Sequence, residues 1–114
     1  MKRNIRLYIA DILENITLAE QIIKGLDYES FVADKIKNYA VIRCIEIIGE
    51  AVKNVPDEIR LKYNDIPWKK MAGMRDKVIH FYLGVDYRIV WQVAALDLPK
   101  LKPRFQQIKE ELKD

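Results

Sequence analysis

The chain has 114 residues, of which 50% are hydrophobic and 32% are charged. This balance is typical of a folded protein and excludes an intrinsically disordered chain, and the length predicts a single domain over 1–114. The net charge of +3 permits nucleic-acid binding without requiring it, and the single cysteine excludes an intrachain disulfide.

The sequence also bears on compartment and metal content. Residues 1–16 carry charges throughout and lack the apolar stretch of a signal peptide. No uncharged stretch approaches the length of a membrane span, so we expect a cytoplasmic protein without membrane contact. One cysteine and one histidine argue against a zinc site built from protein ligands alone, and we expect neither a metal nor another cofactor.

An apolar stripe predicts the first helix, over residues 2–24, with Gly25 ending it. The stripe recurs at alternating spacings of four and three residues and consists of Ile5, Ile9, Ile12, Ile16, Ala19 and Ile23. Residues 27–31 predict a turn, and a second helix follows over 30–55, with a possible break near Asp34. Its middle is apolar on several faces, which is typical of a helix buried on more than one side. We expect Cys44 to be a small buried hydrophobe there.

Proline and aspartate mark the later helix starts. A short helix is predicted over 57–62, after Pro56. A third long helix is predicted over 67–81, with Asp65 as its N-cap and Pro67 in its first turn. We expect this helix to end near Gly84.

A fourth helix is predicted from Asp86, its cap, to about residue 96, and Pro99 and Pro103 are expected to interrupt it. Its inward residues are Ile89, Val90, Val93 and Ala94. The last helix carries the stripe Leu101, Phe105, Ile108 and Leu112. Trp68 and Trp91 could pair between the third and fourth helices. The whole pattern predicts an all-α fold, an antiparallel bundle of four to five helices.

One segment concentrates chemically active side chains near the end of the third helix. Arg75, His80 and Tyr82 supply a planar cation, a group that titrates near neutrality, and a phenol. Such a set suits phosphodiester cleavage, because an imidazole can move the proton of a ribose 2′-OH and a guanidinium can stabilise the charge that builds on phosphorus. No metal is needed for this reaction, since the nucleophile belongs to the RNA. The expected product carries a 2′,3′-cyclic phosphate.

A straight helix would not bring these groups together within one chain. At about 100° per residue, Tyr82 would lie over Arg75 and His80 would point about 140° away from it. Asp76 would share a flank with His80 and could orient the imidazole. Either the helix loosens before Gly84, or two chains join their sites at a two-fold interface. We favour the second explanation, which makes a homodimer part of the mechanism.

Each of these side chains also has a purely structural interpretation. His80 could cap carbonyls at a helix end, Arg75 could pair with Asp76 or with a neighbouring helix, and Tyr82 could lie at the edge of the core. Trp68 and the methionines near it are expected to be packing residues rather than a platform for bases.

The segment resembles a known family. Arg75, His80 and Tyr82 match the R-x4-H-x-Y signature of HepT toxins in the HEPN superfamily. The flanks match as well: residues 43–51 resemble the central-helix pattern, residues 68–74 the stretch before the signature, and residues 85–99 the pattern after it. The likeness extends from about residue 5 to residue 101.

The resemblance implies a homodimer of helical bundles with a composite cleft, acting as a metal-independent endoribonuclease. It also implies the toxin of a type II/VII-like toxin–antitoxin pair, whose partner is a minimal nucleotidyltransferase of the MntA type. Arg75 and His80 would then be the catalytic pair, with Asp76 and Tyr82 in support. Tyr82 would accept AMP from the antitoxin and thereby switch the toxin off. Asp76 fills a position that is often Asn, where a carboxylate would repel the phosphate unless it turned towards His80.

Two other functions remain compatible with the sequence. The chain could be a non-catalytic subunit that binds nucleotide or substrate for a nucleotidyltransferase, or a helical dimer used only for assembly. A ribonuclease assay without metal distinguishes the toxin from both.

Overall fold

The computed structural model describes residues 4–80 and 84–112. This part of the chain is largely helical, which confirms the predicted all-α bundle. The helices are α1 (Ile5–Ile23), α2 (Tyr28–Ala33), α3 (Lys35–Lys53), α4 (Asp57–Lys62), α5 (Trp68–Ala72), α6 (Met74–Val78), α7 (Tyr87–Gln92) and α8 (Leu98–Glu111). A short antiparallel ladder pairs β1 (Ile79–His80) with β2 (Gly84–Val85), and a π-helical segment, Val93–Asp97, joins α7 to α8. Among these described elements, no helix is long and apolar enough to cross a membrane.

Helix α3 lies at the centre of the bundle. Its most extensive contact is with α1, and α2, α5 and α6 also pack against it. Its side chains Val41, Ile45 and Ile48 are completely buried, which confirms that this apolar helix is covered on more than one side. Cys44 is buried among them, and this burial raises the pKa of its thiol. The thiol therefore stays protonated and unreactive, as expected of a packing residue.

The predicted break near Asp34 is confirmed, and it separates α2 from α3. The Asp34 carboxylate accepts a hydrogen bond from the Lys37 N–H at 3.0 Å and so caps α3. Asn38 is buried, and its side-chain amide donates to the carbonyls of Phe31 and Val32 at 3.2 and 3.1 Å. These bonds help to satisfy the carbonyls at the end of α2, where the Phe31 carbonyl also accepts a hydrogen bond from the Asp34 N–H at 3.3 Å. The chain can therefore change direction in the interior.

The predicted N-cap at Asp65 is wrong. Pro67 is the residue before α5, with no side-chain cap, and the Asp65 carboxylate instead accepts two hydrogen bonds from Arg104, at 2.7 and 3.0 Å. Two charge-assisted bonds to a guanidinium are stronger than one bond to a backbone N–H. Arg104 also lies over the Tyr63 ring, 5.1 Å from its centre. The residue thus ties α8 to the loop before α5.

The predicted pairing of the two tryptophans is also wrong. Trp68 packs edge-on against Phe105 of α8, with ring centres 5.7 Å apart, and donates from its indole to the Tyr63 carbonyl at 3.0 Å. Trp91 packs against Phe31 of α2 at 5.3 Å. Each tryptophan therefore anchors a different helix, Trp68 to α8 and Trp91 to α2.

Helix formation continues through both prolines, contrary to prediction. Proline lacks an N–H and its ring crowds the carbonyl four residues before it, which for Pro99 belongs to Ala95. Ala95 lies in the π-helical segment, where the wider turn relieves this crowding. Pro103 lies inside α8 on its exposed side, where water can satisfy the carbonyl that loses its donor.

The predicted third helix, 67–81, is interrupted and ends early. Gly73 separates α5 from α6, and α6 ends at Val78, where Ile79 takes an extended conformation (φ −118°, ψ 111°). Glycine is a poor helix former, and Ile79 and His80 gain backbone pairing with Gly84 and Val85 that a longer helix would not give them. The segment that carries the signature residues is therefore a helix followed by a strand.

The ion pair between Asp65 and Arg104 predicts a specific pH dependence of stability. The hydrogen bonds from Arg104 hold the pKa of the Asp65 carboxyl below its ordinary value of 3.8. A carboxyl with a lowered pKa stabilises the fold at pH values above 3.8, and this contribution disappears as the pH falls through the lowered pKa. We expect Asp65→Asn to lower the thermal midpoint at pH 7, and the difference from wild type to vanish in acid.

Glu14→Gln is the matched control, because Glu14 is exposed on α1. Thermal denaturation followed by circular dichroism from pH 7 downwards measures both variants. A difference for Asp65→Asn that stayed constant well below the ordinary carboxyl pKa would contradict this assignment.

Candidate active site

Helix α6 orients Arg75 through the residues on either side of it. Met74 and Val78, four residues apart and therefore on one face of the helix, are buried. Arg75 and Asp76 lie between them in the chain and face solvent, with side chains 52% and 77% exposed. The core thus fixes the rotation of α6, and this rotation presents the guanidinium to solvent.

The chain leaves helical geometry directly after this turn. The Asp86 N–H donates to the Val78 carbonyl at 2.7 Å, and the Asp86 carboxylate then caps α7 through the Ile89 N–H at 3.2 Å, as predicted. Between these points, Ile79 pairs with Val85 and His80 pairs with Gly84. The backbone of His80 therefore belongs to a strand.

This geometry overturns the helical-wheel relations expected within residues 74–82. His80 is not displaced by about 140° from Arg75 on a common helix, and it does not share a helical flank with Asp76. Instead, the Asp76 carboxylate accepts a hydrogen bond from Arg75 at 3.4 Å. The first of the two alternatives is observed, because the helix ends before Gly84. The separation of Arg75 and His80 around a straight helix is therefore no longer a reason to require a second chain.

Two of the signature side chains lie outside the described part of the structure. For His80 only the backbone is described, and Tyr82 belongs to the undescribed residues 81–83. Their predicted roles, including the orientation of the His80 ring by Asp76, stay predictions.

The Arg75 guanidinium is held only loosely. Its Nε lies 3.9 Å from an Oε2 atom of Glu46 on α3, beyond hydrogen-bond distance, and its Nη1 lies 3.4 Å from Asp76. Exposed ion pairs of this kind contribute little to stability. A phosphate could therefore displace either carboxylate and take up the planar donors of Arg75 in a bidentate arrangement.

Arg75 borders a cleft between α1, α3 and the start of α6, with a volume of about 400 Å³. Its charged lining is balanced: Arg43, Lys53 and Arg75 face Asp11, Glu46 and Glu50. Tyr8 of α1 and Ile47 of α3 complete the wall that faces Arg75. The cleft can thus accept a polar ligand, and Arg75 is its exposed cation on α6.

Sequence reasoning did not assign Arg43, Glu46 or Glu50 to a site. The signal was available, because spacings of three and four residues place these side chains along one side of α3. The spacing could not show that α6 lies beside these residues, because the contact between α3 and α6 depends on the fold.

The chain belongs to the HepT-like ribonuclease family. The family model described as "Ribonuclease HepT-like" matches residues 12–108, and these residues include Arg75, His80 and the α3 side of the cleft.

Individual relatives are similar over nearly their full lengths. "Putative RNase MJ0125" of Methanocaldococcus jannaschii is 48% identical over 113 residues, which cover 99% of this chain and 97% of that protein. "Probable ribonuclease HepT" of Thermococcus cleftensis is 44% identical over 110 residues, which cover 96% of this chain and all of that protein. "Putative RNase TTE0752" of Caldanaerobacter subterraneus is 44% identical over 108 residues, which cover 95% of this chain and 96% of that protein. No solved structure matches the chain.

The ladder that carries His80 predicts opposite effects for two glycines. Gly84 pairs with His80 at φ +83°, a conformation that alanine adopts only with strain. Because a Cβ at Gly84 would meet no atom within 4 Å, the cost of Gly84→Ala should be purely conformational, about 1–2 kcal/mol. We expect its free energy of unfolding in urea to fall by this amount.

Gly73→Ala is the matched control. Gly73 has φ −91°, and an added Cβ would lie 3.6 Å from the nearest carbonyl oxygen, an ordinary contact. This change should be neutral or stabilise the protein by up to about 1 kcal/mol. Equal destabilisation by the two variants would disagree with the backbone described for Gly84.

Proposed function

We propose that this protein is a metal-independent endoribonuclease in which Arg75 and His80 are the catalytic residues. The observation that supports this most is the outward guanidinium of Arg75 at the mouth of a cleft, on the turn that leads directly into the strand of His80. The relatives named as ribonucleases support an RNA substrate. We expect the protein to act in the cytoplasm.

The reaction proceeds by attack of the ribose 2′-oxygen on the adjacent phosphorus. A bond forms between these atoms while the bond from phosphorus to the 5′-oxygen breaks. A neutral His80 imidazole takes the 2′-OH proton, or an imidazolium gives a proton to the departing 5′-oxygen. Arg75 stabilises the added negative charge on the phosphoryl oxygens. The products are a 2′,3′-cyclic phosphate and a 5′-hydroxyl.

The Asp76 carboxylate supports the reaction through Arg75. Its contact is with Arg75, at 3.4 Å, so it limits where the guanidinium points before RNA binds. Because its side chain is 77% exposed, it can turn away from an incoming phosphate. The carboxylate therefore need not repel the substrate.

A second copy of the chain would complete the cleft. Helix α3 exposes two apolar side chains near its N-terminus: Ile36 is 85% exposed and Tyr39 is 62% exposed. Ile47, eleven residues after Ile36 and thus on the same face, lines the cleft itself. Exposed apolar side chains on the face of α3 that reaches the cleft, with the exposed Arg43 between them, favour a homodimer whose interface adjoins both sites. Each cleft would then be bordered by both protomers.

The partner that controls this activity would be a nucleotidyltransferase antitoxin that adds AMP to Tyr82. Tyr82 follows His80 by two residues in the sequence, so the modification would lie next to the signature residues along the chain. The added phosphate would compete with RNA for Arg75. Modification would thereby block the cleft without unfolding the protein.

The nuclease proposal predicts the loss of cleavage in two variants. His80→Ala should reduce the rate of RNA cleavage by about 10²–10⁴-fold, and Arg75→Ala by about 10²–10³-fold. Lys109→Ala, an exposed change on α8, is the control that should cleave normally. The assay uses single-stranded RNA with EDTA present, and it identifies the cyclic phosphate by mass spectrometry. Wild-type activity in His80→Ala with an intact fold would exclude this mechanism.

Mixing the two inactive variants tests whether the cleft is composite. If one site takes Arg75 from one protomer and His80 from the other, an exchanged heterodimer contains one complete site. A statistical mixture would then recover about a quarter of wild-type activity. If both residues of a site come from the same chain, the mixture stays inactive.

The regulatory proposal predicts that Tyr82 is the only acceptor of AMP. Protein produced together with its cognate nucleotidyltransferase should gain the mass of one adenylyl group and lose ribonuclease activity, whereas Tyr82→Phe should gain none. Tyr39→Phe, at an exposed tyrosine on α3, should still be modified. Modification without any cleavage by the unmodified protein would instead favour the non-catalytic partner subunit.

A further inference from the structure

A second concavity lies on the other side of α6. It has a volume of about 560 Å³ and is bordered by α5 and α6 on one side and by α7, the π-helical segment and α8 on the other. Its floor is apolar, formed by buried side chains such as Met71, Met74 and Val93. Three lysines line its edge, Lys70, Lys77 and Lys100. We call this concavity the lysine groove.

The lysine groove differs from the Arg75 cleft in its charge. Its lining contains these three lysines and one carboxylate, Asp97, whereas the charges of the cleft are balanced. Two basic residues of α8 outside the groove are neutralised: Lys102 pairs with Glu20 at 2.6 Å, and Arg104 pairs with Asp65. Within residues 4–80 and 84–112, no carboxylate pairs with Lys70, Lys77 or Lys100. The groove therefore carries an excess of positive charge above an apolar floor.

The position of the groove relates it to the proposed reaction. Arg75 and Lys77 are two residues apart on α6, so their side chains leave the helix about 200° apart, one towards each concavity. A polyanion with one phosphate at Arg75 could continue across this short helix, and its next phosphates would then lie over the lysine groove. Helix α6 is only five residues long and contributes lining residues to both concavities.

We infer that the lysine groove binds the phosphodiester backbone of single-stranded RNA that flanks the cleavage position. This inference rests on the proposed function, since it extends the substrate site from Arg75. The lysines match the phosphates in charge, and the apolar floor can contact the faces of unstacked bases. Only a single strand exposes those faces. The groove would supply affinity without sequence preference, while Arg75 and His80 supply the chemistry.

The test compares two triple variants of equal charge. The groove variant is Lys70→Gln, Lys77→Gln and Lys100→Gln. The control is Lys24→Gln, Lys35→Gln and Lys109→Gln, at exposed lysines that do not line the groove. The ligand is a labelled single-stranded RNA with 2′-O-methyl groups, which cannot be cleaved because it has no free 2′-OH. Fluorescence anisotropy measures its dissociation constant over a series of salt concentrations.

We expect the groove variant to bind roughly 10- to 100-fold more weakly than the control at 0.1 M salt. The slope of log affinity against log salt should fall by about 2, since each phosphate contact on a single strand contributes about 0.7. Replacing the same lysines with arginine should restore both quantities, because the charge is kept. Equal affinity and equal slope in the groove variant and the control would overturn the inference, as would tighter binding of a duplex than of the single strand.

The outcome separates this inference from the proposed function. If wild-type protein cleaves unmodified RNA and the groove variant binds like the control, the nuclease proposal stands and the lysine groove is not its substrate site. If wild-type protein does not cleave but the groove variant loses affinity and salt dependence, the RNA-binding surface stands without the nuclease activity.

Discussion

The burial of Met74 and Val78 against the rest of the bundle is the constraint on which the proposed chemistry depends. Because α6 is short, these two buried side chains are the main contacts that attach it to the core. They set its rotation, and this rotation turns Arg75 towards one concavity and Lys77 towards the other. Val78 is also the last helical residue, after which the chain enters the strand of His80. Packing in the core thus determines the direction of the polar groups at the surface.

Much of the fold could be predicted from local sequence. The stripe of α1, the break at Asp34 and the helix over 57–62 are determined by residues close in the chain, through periodicity and capping. The failures share a different cause. Asp65 was predicted to cap a helix, but its partner Arg104 lies 39 residues further along the chain. The end of the third helix depends on the pairing of His80 with Gly84, and a pattern of period 3.6 contains no information about such pairing.

The candidate site, like the fold, could be predicted only where it depends on residues close in the chain. Arg75, His80 and Tyr82 were found because they are close in sequence and match a family signature. The geometry that was first expected for them was wrong, because it assumed a continuous helix. The polar wall of the cleft, which includes Arg43 and Glu46, was missed because it faces α6 only in the folded bundle. A sequence motif can therefore identify the reacting groups, whereas their surroundings depend on contacts between distant segments.

The π-helical segment has a consequence for how this protein can change during evolution. A π turn contains one residue more than an α turn would in the same place. Losing a single residue between Val93 and Asp97 would therefore restore regular α-helical winding without rotating α8 about its axis. Phe105 would stay in the interior, but the wider turn that relieves the crowding between Pro99 and the carbonyl four residues before it would be lost. A lineage that loses one codon here should therefore also replace this proline.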